Sequence, residues 1–123
     1  FDVQKFGSSN YTHISCTPTI IFNVAGTYKV NYKVATEITS GFLRTNTKFE
    51  LQLDAGGGYT TIPGTGVNIS NRTTGSGPTT AHSTNFITVN AGDELKLVAE
   101  KIVGSSVVRT VADRTNITIR KMN

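Results

Sequence analysis

The stretch FNVAGTYKVNYKV, Phe22–Val34, decides the fold class. After Gly26, every second residue is large and apolar: Tyr28, Val30, Tyr32 and Val34. Lys29, Asn31 and Lys33 alternate with them. A period of two is that of a strand with one face buried and the other turned away from the core. The apolar set therefore predicts one side of a packed sheet. The polar, basic set leaves open what the other side meets.

The same reading extends along the chain. Strands are expected at Phe1–Phe6, Thr19–Val24, Thr27–Ile38, Thr47–Leu53, Val67–Asn71, Asn85–Val89, Glu94–Ile102, Val107–Ala112 and Thr115–Lys121. Turn residues separate them, as at Gly56-Gly57-Gly58, Pro63-Gly64, Gly75-Ser76-Gly77-Pro78 and Ala91-Gly92-Asp93. Thr47–Thr65 reads as a strand, a glycine turn and a short returning strand. Asn85–Val103 reads as a hairpin turning at Asn90–Asp93. Ser70–Ser83 has few large apolar residues and reads as a long exposed loop. No segment combines helical periodicity with caps. Closely spaced strands without helices predict a sandwich, barrel or jelly roll. Its core should include Phe22, Tyr28, Val30, Tyr32, Phe49, Leu51, Leu53, Leu95 and Leu97.

Size and charge bound the function. The 123 residues fit one domain, spanning 1–123. The net charge is +4, but the 12 Lys and Arg residues are scattered singly rather than clustered with aromatics, which argues against nucleic-acid binding. No apolar run approaches the roughly 18 residues of a membrane span, so no membrane insertion is expected. The lone Cys16 rules out an intrachain disulfide and reads as a small half-buried residue. The chain opens at Phe1 without a methionine, which reads as a fragment cut from a longer polypeptide, its C-terminal head, or as a processed product.

The order of these pieces resembles the C1q/tumour-necrosis-factor superfamily. FNVAGTYKVNYKV is similar to the family segment in which an aromatic residue, a turn glycine and an alternating aromatic strand follow one another. FITVNAGDELKLV resembles its apolar strand, Ala-Gly-Asp turn and next strand, and NITIRKM its closing strand. TTIPGT and YTHISCTPTIIFNVAGTY resemble the bacterial and viral collagen-like and fibre-head branch more than the vertebrate complement branch. The resemblance covers Tyr11 to Met122 and rests on order and spacing rather than on one motif. It implies a ten-stranded, two-sheet jelly roll that works as a homotrimer. It also implies that Lys29, Asn31 and Lys33 face the threefold axis, where relatives often carry apolar residues. Three copies of Lys29 there would repel unless an anion, water or carboxylate lies between them; the alternative is that the strand lies further from the axis and these side chains reach solvent.

A trimer is expected on a second ground. The segments Phe86–Val89 and Ile117–Ile119 carry apolar or β-branched residues at both parities, whereas a sheet with one buried face shows polar residues on the other. The interface is therefore expected to use Phe86, Ile87, Val89, Ile117 and Ile119. Ligand contact is expected on loops, where binding residues of rigid β scaffolds lie. The candidates are Tyr59, Asn71, Arg72, Thr73, His82 and Arg109, led by Tyr59 and Arg72 because aromatic and Arg side chains dominate binding hot spots.

No catalytic constellation can be assembled. His13 and His82 are the only histidines, and nothing resembles a nucleophile elbow. Asp54, Asp93 and Asp113 sit where turns favour Asp, without the Asp-x-Asp clustering a calcium site would need. Neither a metal nor a cofactor is expected. Asn10, Asn68, Asn71 and Asn116 each begin an Asn-X-Ser/Thr acceptor pattern. The function expected is a trimeric, surface-exposed head of a fibre or stalk on a virion, phage, spore or cell, attaching to a receptor or glycan. The alternatives are a structural trimerisation or capsid-decoration domain without a ligand, and a secreted signalling ligand.

Overall fold

The computed structural model of the chain describes residues 8–123, so the strand expected at Phe1–Phe6 lies outside it. Among the described residues, ten strands and one short 3-10 turn, Ala112–Arg114, form two antiparallel sheets.

The alternating stretch lies in the longest strand, β3 (Gly26–Ser40). It pairs along one edge with all 11 residues of β7 (Thr79–Val89). Its other edge takes two strands end to end. β10 (Asn116–Lys121) pairs Tyr28–Lys33, and β9 (Val107–Thr110) pairs Thr36–Ser40. The 3-10 turn bulges out between them, anchored by Val111 N–H donating to Ala35 O at 2.8 Å.

In the second sheet the central strand is β4 (Thr45–Asp54). One edge pairs β8 (Glu94–Val103), and β8 in turn pairs β2 (Ile20–Phe22), which pairs β1 (Tyr11–His13). The other edge takes β6 (Val67–Asn71) against its first half and β5 (Tyr59–Thr61) against its end.

The alternation in β3 sorts as expected. Tyr28, Val30, Tyr32 and Val34 are buried between the sheets with Phe22, Phe49, Leu51 and Leu95, and Leu53 and Leu97 pack against them half-buried. The two buried tyrosines keep their hydroxyls hydrogen-bonded, as burial requires. Tyr28 donates to Val24 O at 2.7 Å, and Tyr32 donates to Thr65 O. Burial pushes both phenols above their ordinary range, so both stay neutral donors.

Two local expectations are corrected. Thr79–Ser83, read as part of a loop, is strand: its residues lack apolar alternation, but the long edge of β3 supplies backbone partners for all of them. Cys16 is exposed rather than half-buried, because it occupies the turn between β1 and β2 with φ of 64°.

Candidate functional site

The outer face of the four-stranded sheet is built from alternate residues of three strands. Register aligns them in rows. Lys29 lies between Arg120 and Phe86, Asn31 between Thr118 and Thr84, and Lys33 between Asn116 and His82. The rows are basic and contain no carboxylate. Phe86 is 63% exposed, an aromatic ring on an otherwise polar face. Asn31 Oδ1 is buried and has no hydrogen-bond partner. Because the protomer itself covers this oxygen, the missing donor is a cost inside the protomer rather than a contact offered to a partner.

The residues expected at a trimer interface divide by parity. Lys29, Asn31, Lys33 and Phe86 point outward together. Ile87 and Val89, at 5% and 3% exposure, point into the protomer core. Ile117 and Ile119 also pack against that core. Their side chains are spent on the sandwich, so the outer face of β10 consists of Asn116, Thr118 and Arg120 instead. The second apolar face inferred from the sequence is therefore one residue, Phe86, flanked by polar and cationic groups.

The loop candidates do not form one site. Tyr59 donates to Glu94 Oε2 at 2.8 Å, and Lys96 Nζ lies 3.8 Å from its ring centroid. It is committed to a local cluster on the six-stranded sheet. Arg72 is exposed and Thr73 half-buried at the other end of the sandwich, where Thr73 O accepts from the Ser76 hydroxyl at 2.7 Å. His82 is exposed on β7, across from Lys33. Arg109 donates through Nε to Glu37 Oε1 at 2.7 Å. It also lines a cleft of about 190 Å³ between the two sheets, with Lys101, Phe49 and Val108. The cleft opens where β2 stops pairing β8 at Leu95, leaving the far half of β8 without a neighbour on that side among the described residues.

Asn71 is not a loop residue. It ends β6 with its side chain turned inward and is 1% exposed. Thr36 Oγ1 donates to its Oδ1 at 2.8 Å, and its Nδ2 donates to Thr36 O at 3.0 Å. This pair ties β6 to β3 across the sandwich, and its burial closes the Asn71 acceptor pattern to glycosylation. Asn71→Ala should cost about 2–3 kcal/mol in urea unfolding, since it strands buried polar groups on Thr36. Arg72→Ala, next in the chain but exposed, should stay within about 0.5 kcal/mol of the parent. Equal stabilities for the two variants would contradict the placement of Asn71.

No protein-family model matches the sequence, and no curated protein matches it. Solved structures do. The Eiger TNF of S. frugiperda superposes with a TM-score of 0.59 at 13% identity, over 85% of this chain and 64% of that one. Murine APRIL, crystallised at pH 5.0, superposes with a TM-score of 0.66 at 8% identity, over 94% of this chain and 80% of that one. The chain thus spans just under two thirds of the Eiger structure's length. At these identities the likeness establishes the fold alone, an all-β, two-sheet, TNF-like jelly roll.

Proposed function

We propose that this jelly roll is the surface-exposed head of a homotrimer, attaching its parent structure to a cell-surface receptor or glycan. The observation that carries the trimer is the outer face of the β10-β3-β7 sheet. It presents an exposed phenyl ring, Phe86, among the cations Lys29, Lys33 and Arg120, with no carboxylate in the same rows. A heterologous threefold contact covers such a face with a different patch of the neighbouring copy. The cations Lys29, Lys33 and Arg120 then require carboxylates or a bound anion opposite them. The fibre-head assignment, on a virion, phage, spore or cell, rests on the resemblance of TTIPGT and the Thr-rich segments to that branch.

Phe86→Glu separates assembly from folding. Its carboxylate would sit across from Lys29 in the register, so the isolated protomer keeps a favourable pair while the apolar contact is lost. The variant should sediment as a folded monomer. A trimer unchanged by Phe86→Glu would remove this face from the interface. Attachment is then read by cell binding and a glycan array with the trimeric parent. An assembled trimer that binds neither would favour the structural, ligand-free reading. A likeness to Eiger TNF at 13% identity supports the fold and does not raise the signalling reading above attachment.

A further inference from the structure

One pole of the sandwich carries an apolar tip ringed by cations. Phe42 and Leu43, adjacent in the β3–β4 loop, are 85% and 62% exposed. Ile102, Val103 and Val107, flanking the β8–β9 loop, are 51%, 57% and 54% exposed. The two loops are locked together. Ser106 Oγ donates to Leu43 O at 2.8 Å, and Lys101 Nζ donates to Ser106 O at 2.9 Å. A Cβ on Gly41 would lie 2.4 Å from Ser106 Oγ, so the loops touch where only glycine fits. The β6–β7 loop joins them through Thr74 Oγ1 donating to Gly41 O at 2.8 Å. The exposed side chains therefore stand on a braced platform.

This pole is also basic. Residues 38–45, 71–78 and 101–110, which build it, contain Arg44, Arg72, Lys101 and Arg109. Glu37 at its border pairs with Arg109, while Arg44, Arg72 and Lys101 make no ion pair among the described residues. The opposite pole, where β4 ends, is mixed, with Asp54, Asp93 and Glu94 beside Lys96 and Lys121. Ser8 and Asn123 also lie there, Asn123 Oδ1 accepting from Thr27 N–H at 3.0 Å. At about 3.3 Å per residue, β3 sets the tip roughly 45 Å from that end, clear of both described termini.

We infer that this tip docks on an anionic phospholipid surface, with Phe42 and Leu43 entering the headgroup boundary and Arg44, Arg72 and Lys101 meeting lipid phosphates and carboxylates. The shape selects a bilayer over a folded partner. Phe42 projects from a loop rather than lining a groove, and a fluid interface accepts such a projection without a matching pocket. The cations select anionic lipid, each adding roughly five-fold in affinity near such a surface. The docking is interfacial: no helix among the described residues is long and apolar enough to cross a membrane. It needs one copy only, so it stands or falls separately from the trimer.

The test is cosedimentation of the intact chain with phosphatidylcholine vesicles, with and without phosphatidylserine. The parent should pellet with the phosphatidylserine vesicles, less so as salt rises, and not with phosphatidylcholine alone. Phe42→Ser/Leu43→Ser and, separately, Arg44→Gln/Arg72→Gln should each lower vesicle binding at least ten-fold. Both pairs alter exposed side chains, and an unchanged melting profile confirms that each variant is folded. A parent that stays in solution with phosphatidylserine vesicles at low salt overturns the inference. So does full binding by the Phe42→Ser/Leu43→Ser variant, which would reduce the effect to general charge attraction. Loss of self-association in that variant, with no vesicle binding by the parent, would assign the tip to a second copy of the chain and also overturn it.

Discussion

Tyr32→Ala is expected to destabilise the protomer by about 3–5 kcal/mol in urea unfolding at fixed chain concentration. Tyr32 is 1% exposed at the centre of β3, so truncation leaves a cavity the size of a ring in a packed core. It also removes a strut. The hydroxyl donates to Thr65 O, while Thr65 Oγ1 accepts from Leu51 N–H at 3.1 Å and donates to Ile62 O at 2.8 Å. Tyr32 thus pins the turn after β5, the TTIPGT segment, to the edge of β4 between β6 and β5. Tyr32→Phe isolates that role. It keeps the ring and strands one buried carbonyl, so a loss of about 1–3 kcal/mol is expected. An unchanged unfolding midpoint for Tyr32→Ala would take Tyr32 out of the core.

Gly104→Ala should be nearly as damaging, by about 3 kcal/mol, although it adds only a methyl group. Gly104 has φ of 101°, a conformation that strains an L-residue by roughly 1–3 kcal/mol. The new Cβ would lie 2.6 Å from Arg44 O and 2.8 Å from Thr45 Cα. Those are backbone atoms at the start of β4, Arg44 just before it and Thr45 its first residue, and they are not free to swing aside as a side chain would, so an overpacking cost adds to the strain. Gly57→Ala is the control. Nothing lies within 4 Å of its Cβ and its φ is not left-handed, so the variant should gain about 0.4–1 kcal/mol through the unfolded chain. Effects of the same sign and size at the two positions would contradict this account of the loop contact.

How far the sequence speaks depends on whether the side chains or the register decide. In β3, burial and alternation coincide, and Tyr28 through Val34 read correctly. At Phe86, Ile87 and Val89 the sequence offers apolar residues at both parities. Only pairing with β3 assigns them, setting Ile87 opposite buried Tyr28 and Phe86 opposite outward Lys29. Thr79–Ser83 was illegible because its pairing is a backbone matter. Asn71 carried a usable signal: Val67, Ile69 and Asn71 share a parity, which places the amide on the buried side with Ile69. The expected loop sites drew on Tyr59 and Arg109 because of their residue types, yet both are engaged by neighbouring carboxylates. The Phe42–Leu43 tip is not legible in the sequence because a two-residue apolar pair has no period. Its meaning comes from the loops that fold against it.

Threefold assembly is decided by sedimentation of the isolated domain at micromolar concentration. A single species with three times the chain mass is expected, held by a permanent interface of more than about 2,000 Å² in total on the outer face of the β10-β3-β7 sheet. A folded monomer that persists at that concentration would rule the trimer out.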